Sequence, residues 1–185
     1  MNGTTDTCVF HNESLTDEQI EEITLYLPPG CQYLRFSSIE LSETAINFIA
    51  ENLLLRGKNS NLQHLSLRDT KLTDEGITCL CHALINGKNC KLRSLDVQLN
   101  DFTDIGAHEI AKMLEVNKGL ETLDISYLQL TRDGIMAILT ALVEKNRTLT
   151  TLDVTNSIPV DENMKNFLKP IEGRVRVINA YHGYY

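Results

Sequence analysis

One unit recurs along this chain: L-x-x-L-x-L, four further residues, then L-T-D-x-G opening a helical pattern. It is cleanest at Leu62, Leu65 and Leu67, followed by Leu72-Thr73-Asp74-Glu75-Gly76. It returns at Leu92, Leu95 and Val97 with Phe102-Thr103-Asp104-Ile105-Gly106, and at Leu120, Leu123 and Ile125 with Leu130-Thr131-Arg132-Asp133-Gly134. The first leucines of successive units, Leu62, Leu92, Leu120 and Leu149, are 30, 28 and 29 residues apart. A period held this closely means a stack of supersecondary units that share one core, and such stacks are built for binding.

Weaker copies extend the array. Cys31, Leu34, Phe36 and Leu41-Ser42-Glu43 precede it, and Leu149, Leu152, Val154 and Pro159-Val160-Asp161 follow. At the amino end, Cys8 and Phe10 hold the places of Leu65 and Leu67 before Leu15-Thr16-Asp17. A last extended run, Arg174 to Ile178, offers a seventh strand with no helix behind it. Within each unit the alternation of Leu65 and Leu67 with His64, Ser66 and Arg68 is that of a strand buried on one face. The Thr-Asp pair caps a helix start. Apolar residues then follow at helical spacing: Ile20, Ile23, Leu27; Ile46, Ile49, Leu53; Ile77, Leu80, Leu84; Ala107, Ile110, Leu114; Ile135, Ile138, Leu142; and Met164, Phe167, Ile171.

These motifs resemble the ribonuclease-inhibitor-like class of leucine-rich repeats, over residues 5 to 178. The resemblance implies an α/β solenoid: a curved parallel sheet of about seven strands on the concave face, with helices on the convex face. We read residues 1–185 as a single domain, with six repeats over residues 5–172 and a capping strand and tail over 173–185. The class places an asparagine or cysteine two residues before the last leucine of the motif, and here that slot is filled in kind only by Asn100. Glu13, Ile39, Thr70, Leu128 and Ser157 stand there elsewhere, so most turns need water or threonine and serine hydroxyls to satisfy their backbone.

The formal net charge of −8 at pH 7 and the lack of clustered Lys and Arg disfavour a nucleic-acid binder and favour a basic protein surface as partner. No basic stretch followed by an apolar run opens the chain, and the apolar runs are too short for a bilayer, so neither a secretory signal nor a membrane anchor is expected. Five cysteines form an odd set, mostly in structural slots: Cys8, Cys31 and Cys90. Cys79 and Cys81 fall on different faces of a predicted helix, which argues against a shared metal. Reduced thiols in a cytoplasmic protein without cofactors are expected, and host cytosol would serve equally for a bacterial effector. The glycosylation-type triplets at Asn2, Asn12 and Asn146 then carry no meaning.

Strand alternation lets the open face be read in columns. The central one runs Val9, Arg35, Ser66, Asp96, Asp124, Asp153, Arg176. Strands lie about 4.8 Å apart, so adjacent aspartates repel by about 1 to 3 kcal/mol. Either this is an acidic stripe for Lys or Arg of a partner, or aspartate belongs to the repeat pattern and bonds locally. The next column holds His11, Ser37, Arg68, Gln98, Ser126, Thr155 and Ile178. Beyond it, Asn12, Ser38, Asp69, Leu99, Tyr127, Asn156 and Asn179 form the rim, where Leu99 and Tyr127 should lie side by side. With Tyr33 across the stripe, Asp96, Asp124, Asp153, Tyr127, Leu99, Arg68, Tyr33 and Arg35 are the candidate partner-binding residues.

A hydrolase built on His64, Ser94 and Asp96 is the remote alternative, since a regular sheet offers neither oxyanion hole nor dry pocket. The sequence therefore points to a non-catalytic interaction module acting as adaptor, inhibitor or pathogen effector. At the ends, Pro159 breaks the repeat and Arg174 and Arg176 charge the last strand. Tyr181, Tyr184 and Tyr185 either cap the core or form a recognition tail. The strand at Cys8-Val9-Phe10 has no evident cap, which leaves monomer, weak homodimer or a lost upstream domain open.

Overall fold

A computed structural model describes residues 6–57, 61–87 and 91–179. Seven strands form one sheet in sequence order, β1 (Thr7–His11), β2 (Tyr33–Ser37), β3 (His64–Arg68), β4 (Ser94–Asp96), β5 (Thr122–Asp124), β6 (Thr151–Asp153) and β7 (Arg176–Ile178). Every neighbouring pair is parallel. Each strand but the last is followed by a helix: α1 (Asp17–Leu25), α2 (Glu43–Ile49), α3 (Asp74–Asn86), α4 (Asp104–Val116), α5 (Arg132–Glu144) and α6 (Glu162–Leu168). A π-helical turn, Ala50–Leu55, prolongs α2, and a 3₁₀ turn, Lys169–Ile171, prolongs α6. This is the parallel, helix-backed solenoid that the repeat period predicts.

The helices start at the capping side chain of each unit, a Thr-Asp pair in α1, α3 and α4. Thr16, Ser42, Thr73, Thr103, Thr131 and Asp161 are the N-caps, each accepting from a backbone N–H of its first turn. The strand leucines and the helical stripe meet in one core: Leu65, Leu95, Leu123 and Leu152 are 0–1% exposed, and Ile77, Leu80, Ile110, Leu114, Ile138 and Leu142 are buried with them. At the two ends the stripe is less covered, and Ile23, Leu27 and Phe167 are half-buried.

Turn chemistry bears out the part assigned to hydroxyls. The Asn100 amide accepts from the N–H groups of Thr70 (3.0 Å) and Leu72 (2.9 Å) and donates to the carbonyls of Leu67 (2.7 Å) and Val97 (2.9 Å). Thr70 Oγ1 donates to Leu67 O, while Ser157 Oγ donates to Ile125 O and accepts from Leu128 N. Asn100 serves its own unit and the one before, and the Ser157 hydroxyl serves the unit before it, so Leu128, between them, can be apolar without leaving Val97 O or Ile125 O unpaired.

A second handover joins helix starts. Asp74, the first residue of α3, accepts from Thr103 N, Thr103 Oγ1 and Gly106 N of the next unit, each at 2.8 Å. Asp104 does the same for Thr131 N (2.9 Å) and Thr131 Oγ1. Two of the repeated glycines make room at this junction: a Cβ on Gly134 would collide with the Asp104 carboxylate, and one on Gly106 would sit 2.6 Å from Ile77 Cγ2 and 3.0 Å from Asp74 Oδ1, whereas one on Gly76 would meet Leu72 of its own unit. At the last junction both partners change together. Arg132 takes the aspartate's place and donates to Asp161, which takes the threonine's.

β7 departs from the expected register. Thr151, Leu152 and Asp153 pair with Arg176, Val177 and Ile178, so Ile178, not Arg176, continues the central column, and Val177 rather than Val175 lies beside Leu152. A slip of two residues keeps every side chain on its own face, so alternation cannot detect it. The tight turn after α6 uses up the difference, with Arg174 N and Val175 N both bonded to Ile171 O and Gly173 at φ +85°.

Asn146 is fully buried and its amide bonds Leu114 O and Leu149 N, which removes it as a glycosylation site. Cys81 is buried, whereas Cys79 is half-buried and donates to Asn47 Oδ1. Among the described residues, no group of three or more His, Cys, Asp or Glu is placed to hold a metal ion, and no helix is long and apolar enough to cross a membrane. Cys90, Asn2 and the tyrosines at 181, 184 and 185 lie outside the described residues.

Candidate functional site

Pleating alone gathers most of the candidate residues. The strand register sets Val9, Arg35, Ser66, Asp96, Asp124 and Asp153 in one row across six strands. A neighbouring row holds Tyr33, His64, Ser94 and Thr122. Arg35 and Arg68 are exposed, and the three aspartates are partly covered. Together the rows line a shallow concavity of about 510 Å³ over β1 to β5.

The aspartates are tied into the local structure. Asp96 accepts from Ser66 Oγ (2.7 Å) and Gln98 N (3.2 Å). Asp124 accepts from Gln98 Nε2 (2.9 Å), Ser126 N (2.9 Å) and Ser126 Oγ (2.6 Å). Asp153 accepts from Thr155 N (2.9 Å). In each case the carboxylate reaches the amide two residues on and steadies the chain as it leaves the strand. Burial raises the Asp124 carboxyl above its ordinary range, the Ser126 hydrogen bonds oppose the rise, and the charges of Asp96 and Asp153 add to it. Like-charge repulsion along the stripe is thus a smaller influence than desolvation, and local bonding accounts for aspartate at this position.

At the rim, backbone conformation singles out the expected column. Asn12, Ser38, Asp69, Leu99, Tyr127 and Asn156 all have φ between 52° and 57°. This left-handed region suits asparagine and aspartate and costs other residues about 1–2 kcal/mol. Leu99 and Tyr127 sit there on adjacent strand ends, with Leu99 N bonded to Ser126 O and Tyr127 N to Thr155 O. Tyr127 is 39% exposed.

Sequence reasoning missed the ring pair opposite. Tyr33 and His64 stack with centroids 4.1 Å apart and planes within 5°, and Tyr33 remains 43% exposed. Burial lowers the His64 imidazole pKa, with Glu121 opposing. The pairing was available from the unit spacing, which puts residues 33 and 64 on facing positions. The same stacking holds His64 flat on Tyr33, while Asp96 takes its hydroxyl hydrogen bond from Ser66 rather than Ser94. His64, Ser94 and Asp96 therefore do not form a relay.

A leucine-rich-repeat family model matches residues 58–81 and 88–111. Porcine ribonuclease inhibitor is 37% identical over 101 residues, 52% of this chain and 22% of the inhibitor. The chain is a leucine-rich-repeat protein of the ribonuclease-inhibitor-like class. Human NACHT, LRR and PYD domains-containing protein 13 is 34% identical over 113 residues, 61% of this chain, and mouse protein 9B is 29% identical over 124 residues, 67% of it. The repeat protein matches 10% and 12% of the length of those two relatives, a small part of each. In fold it is similar to the tropomodulin C-terminal domain of Caenorhabditis elegans, at TM-score 0.68 and 14% identity, over 86% of this chain and 93% of that one. The leiomodin-1 actin-binding site 2 structure aligns at TM-score 0.61 and 20% identity, over 77% and 80% of the two chains.

Proposed function

We propose that this repeat protein is a non-catalytic binding module that presents the open face of its sheet to a protein partner with a basic surface. The row from Arg35 to Asp153 carries the reading. Its arginine and aspartates lie on the open side of the sheet, and exposed tyrosines, Tyr33 and Tyr127, flank it as anchors. Asp96, Asp124 and Asp153 serve twice, since an oxygen that bonds a backbone amide can still accept from a partner's Lys or Arg. The name of the leiomodin structure, an actin-binding site, is in keeping with a protein ligand for this fold. An adaptor, an inhibitor of a basic protein, or an effector in a reducing cytosolic compartment would each use this face, and the cysteines in core slots suit such a compartment.

The test compares two sets of neutralised carboxylates in capture from cytosolic extract. Asp96→Asn, Asp124→Asn and Asp153→Asn together should abolish retention of the partner, whereas Glu75→Gln, Glu109→Gln and Glu162→Gln on the helices should not. Equal loss from both sets would leave only a general charge effect and sink the proposal. Ester or peptide turnover abolished by His64→Ala would overturn the non-catalytic reading.

A further inference from the structure

The open face does not carry one sign of charge throughout. β4, β5 and β6 present Asp96, Asp124 and Asp153, whereas β2 and β3 present Arg35 and Arg68, both exposed. In the register Arg35 stands opposite Ser66 and Arg68 opposite Ser37, so the two arginines share a face one strand and two residues apart. With strands about 4.8 Å apart and a rise of about 3.3 Å per residue, their Cα atoms lie about 8 Å from each other. Two guanidinium groups on stems that close can reach one anion between them.

Neither arginine is used inside the fold. Arg56, Arg93 and Arg132 pair with Glu51, Glu121 and Asp161, and Arg147 and Arg174 bond main-chain carbonyls. Arg35, Arg68 and, on β7, Arg176 have no such partner among the described residues, although Asp69 follows Arg68 in the chain. Ser66, between Arg35 and Asp96, turns its hydroxyl to Asp96. Nor does the repeat call for arginine at these places. Other units hold Val9, Ser66, Asp96, Asp124 and Asp153 where Arg35 stands, and His11, Ser37, Gln98, Ser126 and Thr155 where Arg68 stands. The aspartates bond their own turns, but the arginines serve no turn, and like charges this close repel until a carboxylate lies between them.

We propose, resting on the open-face reading above, that Arg35 and Arg68 clamp a carboxylate side chain of the same protein partner. That partner is dipolar, acidic opposite β2 and β3 and basic opposite β4 to β6. One shallow concavity contains both ends of the pattern. Arg35 and Asp124 line it three strand spacings apart, about 14 Å, over a floor of Ser66, Ser94 and Thr122. These short side chains leave room for a segment to lie across the strands. A partner helix laid there carries its acidic and basic side chains about nine or ten residues apart.

Fluorescence anisotropy on the full chain, at low ionic strength, tests this with two labelled alanine-based helical peptides. One carries a glutamate pair about nine residues before a lysine pair, and the other has glutamines in place of the glutamates. Against a chain of net charge −8, general electrostatics favours the glutamine peptide. The clamp instead makes the glutamate peptide bind at least fivefold tighter, and Arg35→Gln with Arg68→Gln should reverse that order. Both positions are exposed, so the melting curve should not move. Asp96→Asn, Asp124→Asn and Asp153→Asn together should weaken both peptides and leave the glutamate preference in place. A preference that persists with no such weakening supports the clamp and refutes only the basic-partner reading. The proposal is overturned if the unaltered chain binds neither peptide, if it binds the glutamine peptide as tightly as the glutamate one, or if the preference survives loss of both arginines.

Discussion

Replacing Asn100 by leucine tests how the turns are held. Thr70 and Val97 are 0% exposed and Leu72 is 1% exposed, so the backbone groups served by Asn100 have no solvent to turn to. Of the four, Leu67 O keeps the Thr70 hydroxyl, which leaves Thr70 N, Leu72 N and Val97 O without their partner. A buried, unpaired backbone group costs about 1–3 kcal/mol, so Asn100→Leu should destabilise by about 3 kcal/mol at the low end. For a chain of this size that is a fall in Tm of about 6–12 °C. Asn100→Thr restores a hydroxyl of the kind that Ser157 supplies to one N–H and one carbonyl, and should recover roughly half of the loss. Urea unfolding would read both, with a shifted midpoint and an unchanged slope. Leucine stands naturally at position 128 without penalty because its neighbours reach across. If Asn100→Leu shifted stability by under about 1 kcal/mol, the shared-rung account would be wrong.

Three further outcomes follow from the geometry. His64 has its pKa lowered from 6.5 by burial; the unfolded chain therefore binds the proton more readily, and stability should decline as pH falls below 6.5 toward the folded-state value. His64→Phe keeps a ring on Tyr33 and should remove that slope in thermal melts taken across pH. Arg132→Asp would face Asp161 with a second carboxylate and lower Tm, and adding Asp161→Thr should recover most of it in a double-mutant cycle; additive losses would refute the paired junction. Ser38 is exposed at φ 54°, so Ser38→Gly should be more stable than Ser38→Val by about 1–2 kcal/mol in chemical denaturation.

Most of the fold was legible because it is periodic. Leu65 and Leu67 predict a strand face, Thr73-Asp74 a helix start and Ile77, Leu80 and Leu84 a buried stripe, and each copy repeats the statement. The central row was legible for the same reason as far as Asp153, where the pattern lost track of β7 because a two-residue slip preserves alternation. What stayed hidden depends on direction and distance rather than period. Nothing in the spelling of Asp74 says that it bonds forward to Thr103, nor does Asn146 announce that it reaches back to Leu114 O, although Asn117, 29 residues earlier, reaches Leu84 O in the same way. Tyr33 and His64 sit in unlike contexts, and only the register makes them neighbours.

The exchange at Arg132 and Asp161 gives the array a grammar. A unit that ends in aspartate at its helix start must be followed by one that begins with threonine or serine, and the unit bearing Arg132 must be followed by the one bearing Asp161. Gene duplication could therefore copy the unit of Asp104 freely, since each copy would receive Thr103 of the next as it now receives Thr131. The last unit cannot be moved inward, where Asp161 would confront Asp74 or Asp104. Length can grow in the middle of the chain, while the order of its final two units is locked by one pair of charges.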